Sequence, residues 1–173
     1  MKSFKLTPAI ITFFFFIIFF FASCDKYDTD IEGDVAIYLL DEYTTGEGSR
    51  SILNSGIVLE DEPIVSYNEI ISYNSVTHTF KITGAAAEKL TDLYQSAFAV
   101  TIEGVIIYTA YFWSALSSQI VDWVVTDLVT VSQSNKMEIK LGYPYLMEDM
   151  NIPDNRNDNR ILSVFKRDNK LID

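Results

Sequence analysis

Apolar positions along the chain form one almost unbroken block and then many short ones. The block, Ala9 to Ala22, is interrupted only by Thr12. From Asp34 onward, apolar residues come in short runs, several of which alternate with polar residues at the period of strands with one face buried. Short apolar runs predict strands at Asp34 to Leu40 and, more briefly, at Ile57 to Glu60. Glu69 to Tyr73 and Val76 to Ile82 form an expected hairpin around Asn74-Ser75, with Val76, His78, Phe80 and Ile82 on one face and Thr77, Thr79 and Lys81 on the other. The period then changes. Thr83 offers an N-cap, and Ala86, Leu90, Leu93, Tyr94 and Ala97 follow at helical spacing, so a helix is expected over Gly84 to Gln95.

Phe98 to Glu103 and Val105 to Trp113 read as two strands joined at Glu103-Gly104, a turn that needs a residue tolerant of positive φ. Both alternating sets of the second strand are largely apolar, so both of its faces should be covered and it should be central. Ile120 to Thr126, with Val121, Trp123 and Val125 on one face, and Lys136 to Leu141, with Met137, Ile139 and Leu141 inward, fit antiparallel strands. Arg160 to Phe165 is the expected last strand, before an exposed basic end at Lys166-Arg167. Asp41 to Ser55 and Tyr143 to Asn159 are rich in turn formers and read as exposed loops. The expected fold is α+β: one mostly antiparallel sheet of about seven strands with one helix packed on it.

Composition narrows the class. The 173 residues include 24 acidic against 13 basic side chains, a net charge of −11. Loss of Lys2 and Lys5 with an N-terminal signal would take −11 to −13. Such a surface repels nucleic acid and anionic headgroups. A single cysteine excludes an intramolecular disulfide, so stability must come from burial.

That cysteine lies where targeting chemistry would use it. Lys2 and Lys5 precede the apolar block, whose 14 residues fall short of the roughly 20 that cross a bilayer as a helix. Small residues Ala22 and Ser23 then precede Cys24, the order of an n-region, an h-region and a processing site. Phe21-Ala22-Ser23-Cys24 resembles the lipobox of bacterial lipoproteins, with Phe21 standing where leucine is usual. The resemblance implies a signal peptide over residues 1–23, a diacylglycerol thioether on Cys24, a polar tether over 24–33 and a single globular domain over 34–173. Two or three acyl chains would anchor the domain stably to the membrane, in a bacterial envelope and most naturally at the outer membrane. The acidic Asp25 and Asp28 after the cysteine partly match a surface-export signal, broken by Lys26.

A second, local resemblance covers Glu69 to Trp113. The order strand, strand, helix, strand, hairpin strand, with Thr83-Gly84-Ala85-Ala86-Ala87-Glu88-Lys89-Leu90 leading to Phe98-Ala99-Val100-Thr101-Ile102-Glu103-Gly104-Val105-Ile106, is similar to the periplasmic head region of the protein-export factor SecD. Glu103 replaces the usual aspartate, and no translocase membrane region accompanies it. The resemblance implies a binding module, since strand-helix-hairpin units serve many functions.

Candidate chemistry is sparse. His78 is the sole histidine, which removes multi-histidine zinc sites, and its strand face with Phe80 and Ile82 reads as core or edge. The acidic runs Asp41-Glu42, Glu60-Asp61-Glu62 and Glu148-Asp149 lie in expected turns, whereas a glycosidase pair must face across a cleft in unequal environments. Asp154-Asn155-Arg156-Asn157-Asp158-Asn159 has oxygen ligands but not the EF-hand spacing. No phosphate-binding loop, dinucleotide fingerprint or CxxC pair occurs, and no cofactor or metal is expected. Tyr108, Tyr111, Phe112, Trp113, Trp123, Tyr143 and Tyr145 form the densest aromatic set; alternation with aliphatics reads as core, and Trp113 and Tyr145, next to loops, are the candidates for stacking on a ligand.

The sequence therefore points to a lipid-anchored envelope protein with a non-enzymatic binding or structural domain, meeting a protein or glycan and no nucleic acid. Two alternatives stand beside it: a carboxylate-based hydrolase of polysaccharide or peptidoglycan, and a subunit of an envelope assembly recruited through the doubly apolar Val105 to Trp113 strand.

Overall fold

In the computed structural model, Glu32 to Asp173 are described, apart from Asp149; Cys24 and its flanks lie outside the described residues. The domain is built on the hairpin that the turn at Glu103-Gly104 closes. Glu103 (φ 50°) and Gly104 (φ 74°) are both left-handed. This is the conformation a two-residue turn needs to match strand twist. It joins β5 (Ala97–Ile102) to β6 (Val105–Trp113).

Among the described residues the sheet holds nine strands in the order β2-β1-β5-β6-β7-β8-β4-β3-β9. The remaining strands are β1 (Val35–Glu42), β2 (Val58–Leu59), β3 (Ile70–Asn74), β4 (Thr79–Ile82), β7 (Val121–Asp127), β8 (Lys136–Tyr143) and β9 (Leu171–Ile172). All neighbours are antiparallel except β6 with β7 and β3 with β9. β8 holds the two halves together, because Lys136 to Glu138 pair with β4 and Ile139 to Tyr143 with β7. The α+β class, the mostly antiparallel sheet and the central β6 agree with the sequence reading; β6 is buried from Ile107 to Trp113.

Both faces of β6 are covered by the chain itself. On one face, Tyr108, Ala110 and Phe112 join a core completed by three helices, α1 (Gly84–Lys89), α2 (Leu128–Ser134) and α3 (Asn159–Arg167). On the other, Tyr111 and Trp113 pack with Ala97, Ala99, Val121 and Val125 beneath the β1–β2 connection, which contributes Ile52 and, at its ends, Tyr43 and Ile57. The segment expected as a wholly exposed loop thus supplies a buried anchor: Ile52 is 2% exposed.

Several expected elements take another form. Thr83 caps α1 by accepting from Ala86 N at 3.2 Å, but the helix stops at Lys89 instead of Gln95. Gln95 N donates to Phe112 O and Phe112 N to Ser96 O, so the edge of β6 draws the chain out of the helix. Arg160 to Phe165 is part of α3, not a strand. Asp158 caps it through Arg160 N, and Ile161, Val164 and Phe165, spaced three and one apart, turn a single apolar stripe inward. α2 has no counterpart in the alternation pattern, although Asp127 caps it and left-handed Asn135 ends it. The C-terminal end is not free, since Tyr73 N donates to Lys170 O and Ser75 N to Ile172 O, adding β9 to β3.

Candidate functional site: the cleft between β6 and β7

The parallel pair β6 and β7 is joined by only residues 114–120, whereas parallel neighbours normally need a crossover of a dozen or more. The connection returns past the Tyr143 hydroxyl, which lies 3.0 Å from both Ala115 O and Ser117 O. The two strands pair only where they end, Tyr111 to Trp113 against Val125 to Asp127. Upstream they separate. Val105 to Ala110 pair with β5 alone, and among the described residues nothing pairs with their other edge.

A cleft of about 550 Å³ occupies this separation. Ile106 to Thr109 of β6 and Trp123 and Val124 of β7 form its floor; Ser51 to Asn54 and Ile57 form one wall, and Asn151, Pro153 and Asn155 the other. Its lining contains no Asp, Glu, Lys, Arg or His. Trp123 Nε1 donates to Thr109 Oγ1 at 3.1 Å across the separation. The hydroxyl of Tyr108 is buried with no hydrogen-bond partner. Burial pushes this phenol well above its ordinary pKa, so it remains a neutral donor.

Charged residues behind the lining hold the walls in place. Arg156 makes a bidentate pair with Asp154 (2.8 and 2.7 Å) and donates to Ile139 O at 3.0 Å, fastening the 151–158 segment to β8. The Arg156 side-chain bonds, outweighing burial, hold the Asp154 carboxyl below the usual carboxylate range. Tyr73 Oη adds a bond to Arg156 O at 2.7 Å. On the opposite wall, Arg50 N donates to Asp122 at 2.8 Å, and the Arg50 guanidinium lies 4.8 Å from the centre of the Trp113 ring.

These positions revise the sequence candidates. Trp113 is completely buried, enclosed by Arg50, Tyr94 and Tyr143, and has no free face for a ligand. Tyr145 is 67% exposed but lies outside the cleft lining. His78 is not on the strand face: it has φ 50° in the turn before β4, and its Nδ1 sits 3.3 Å from Asn157 Oδ1. Val76, expected inward beside it, is 72% exposed. Asp41, Glu42, Glu60, Asp61, Glu62 and Glu148 are all exposed, and Asp149 lies outside the described residues. Asp154 and Asp158 are each engaged by the arginine two residues on. Among the described residues no group of three or more His, Cys, Asp or Glu is placed to hold a metal ion.

Sequence reasoning missed Tyr108, Thr109 and Trp123 as a site because each sits in an alternating strand and reads as core. The one signal was the short 114–120 link between two strongly apolar strands. Fold and cleft together define a class, an α+β domain with a mixed, mostly antiparallel sheet and an uncharged cleft at a splayed strand pair. Comparisons with family models, with curated proteins and with solved structures return no match.

Proposed function

We propose that this protein is a lipid-anchored bacterial envelope lipoprotein whose domain binds an uncharged ligand in the β6–β7 cleft without transforming it. The observation that carries the binding reading is the cleft lining: apolar and neutral polar side chains with no charged group among them. Binding clefts combine an apolar surface with a few placed polar groups. The hydrolase alternative loses ground because no carboxylate lines the cleft, so the paired acid and base it requires are missing there. The assembly alternative loses its motive, since the doubly apolar strand is covered on both faces within the chain.

The anchoring reading rests on Phe21-Ala22-Ser23-Cys24. Protease shaving of intact cells, with native protein and Cys24→Ala compared, tests it. Native protein should fractionate with membranes, and the variant should be released. A variant that stays membrane-bound and is processed normally overturns the anchor. The binding reading is tested by screening the mature lipoprotein in nanodiscs against arrays of neutral oligosaccharides and end-blocked peptides. A ligand whose binding is lost in Trp123→Ala, while that variant still unfolds cooperatively, supports the cleft; ligands unaffected by Trp123→Ala sink it.

A further inference from the structure

We infer that the β6–β7 cleft is one half of a longer trough that takes a neutral oligosaccharide of several sugar units; this rests on the reading of the cleft as a binding site.

A second hollow, of about 820 Å³, adjoins the cleft and shares Ser51 and Asn151 with it. The same two segments wall both. Residues between Thr45 and Ser51 extend the wall that Ser51 to Asn54 and Ile57 form, and Met147 and Met150 extend the wall of Asn151, Pro153 and Asn155. The floor continues as well, with Ile120 and Asp122 under the second hollow and Trp123 and Val124 under the first. At roughly 3.3 Å per residue, Ile120 to Val124 covers about 13 Å. Sites for single small molecules hold about 300–1,000 Å³. Two joined hollows of about 820 and 550 Å³ therefore match a chain of rings better than one ring.

The lining selects among chain ligands. Its two charged residues, Arg50 and Asp122, are already engaged. The Arg50 guanidinium donates to Gln119 Oε1 at 3.1 Å and lies against the Trp113 ring, and Asp122 accepts from Arg50 N at 2.8 Å. Neither is left to meet a formal charge on a ligand, and an ionic group would lose water without a counter-charge. A peptide strand has no ladder to join, because β6 beside the trough is buried from Ile107 onward. A sugar chain answers the pattern, since its rings carry C–H faces and hydroxyl edges. Ile57, Trp123 and Met147 supply apolar surface. The Trp123 N–H is held by Thr109, so what the indole offers a ligand is carbon. Beside them stand groups that both donate and accept, the Thr45 hydroxyl and the carboxamides of Asn54, Asn151 and Asn155. Those three carboxamides make no hydrogen bond to any described residue.

The test uses the mature lipoprotein in nanodiscs with glucan, mannan and xylan oligomers from single sugars to octamers, galacturonan oligomers as the charged counterpart, and end-blocked neutral peptides. One neutral sugar series should gain affinity about tenfold or more from the monomer to the longer chains. Trp123→Ala should weaken every member. Met147→Ala, in the second hollow, should weaken only the longer chains, by about fivefold or more. Thr45→Ala, an exposed change on the opposite wall, should do the same without touching the core. Affinity that ignores chain length, or long chains indifferent to both Met147→Ala and Thr45→Ala, overturns the trough. Galacturonan bound more tightly than every neutral series overturns its neutrality. Peptides whose binding is lost in Trp123→Ala, with no oligosaccharide bound, overturn the sugar and leave the cleft standing. If neither sugars nor peptides bind, the cleft reading falls as well.

Discussion

The indole of Trp123 donates to the hydroxyl of Thr109 at 3.1 Å, bridging two strands that are not paired at that level. This bond is a polar tie across the floor of the cleft. Thr109→Val keeps the shape and removes the acceptor, leaving the indole N–H unsatisfied. The expected cost is about 1–2 kcal/mol in urea denaturation, with changed Trp123 fluorescence. Unaltered stability and emission would show that the bond ties nothing.

Arg156 has a different task, holding the 151–158 wall to β8. Its side chain is 15% exposed, and it satisfies Ile139 O as well as Asp154. Arg156→Ala should destabilise by about 1–3 kcal/mol through the unsatisfied carbonyl. It should also speed protease cutting near Pro153. Cutting at the native rate would mean that the wall is held by other contacts.

Acid should weaken the same tie. Asp154 titrates below its unfolded value of about 3.9, so between those two values the unfolded chain binds more protons and stability rises with pH. The contribution is complete above about pH 5 and is lost as pH falls through the folded value. Native protein should exceed Asp154→Asn in Tm at pH 7, and the difference should narrow as pH falls from about 5 towards 3. A difference that stays constant over that range would remove Asp154 from the linkage.

Gly104 gives a purely local prediction. A Cβ there meets nothing within 4 Å, yet φ is 74°. Gly104→Ala should therefore cost about 1 kcal/mol through backbone strain alone, read as a lower denaturant midpoint with an unchanged slope. A neutral result would show that the turn relaxes.

Trp113 and Tyr145 separate core from surface. Trp113→Ala should cost about 3–5 kcal/mol, because the ring is wholly buried, and Tyr145→Ala should leave stability within about 0.5 kcal/mol. Reversed magnitudes, by calorimetry, would place the indole outside and the phenol inside.

Local pattern was enough for much of the fold. Alternation placed Phe80 and Ile82 inward, Thr83 marked the helix start, and the turn at Glu103-Gly104 set the first β5–β6 pairs, Ile102 with Val105 and Thr101 with Ile106. The apolar character of both sets in Val105 to Trp113 made β6 central, because only a strand covered twice can afford none of the usual polar face. Other features depended on distant partners. Arg160 to Phe165 is helical because Phe165 must reach Tyr73 and Phe80, 5.3 and 6.0 Å between ring centroids, from across the sheet. α1 stops early because residues 95 and 96 bond to Phe112.

The cleft belongs to this second group. Periodicity states which face of a strand is apolar but carries no strand direction, so the parallel course of β7 beside β6 was invisible in it. That direction, combined with a seven-residue link, decides where the two strands can no longer reach each other. By itself the sequence determined the elements with local chemistry: the strands, the capped turn and the lipobox-like start. Only tertiary structure decided which apolar residues became core and which line an opening, because hydrogen bonds between strands depend on backbones meeting in space.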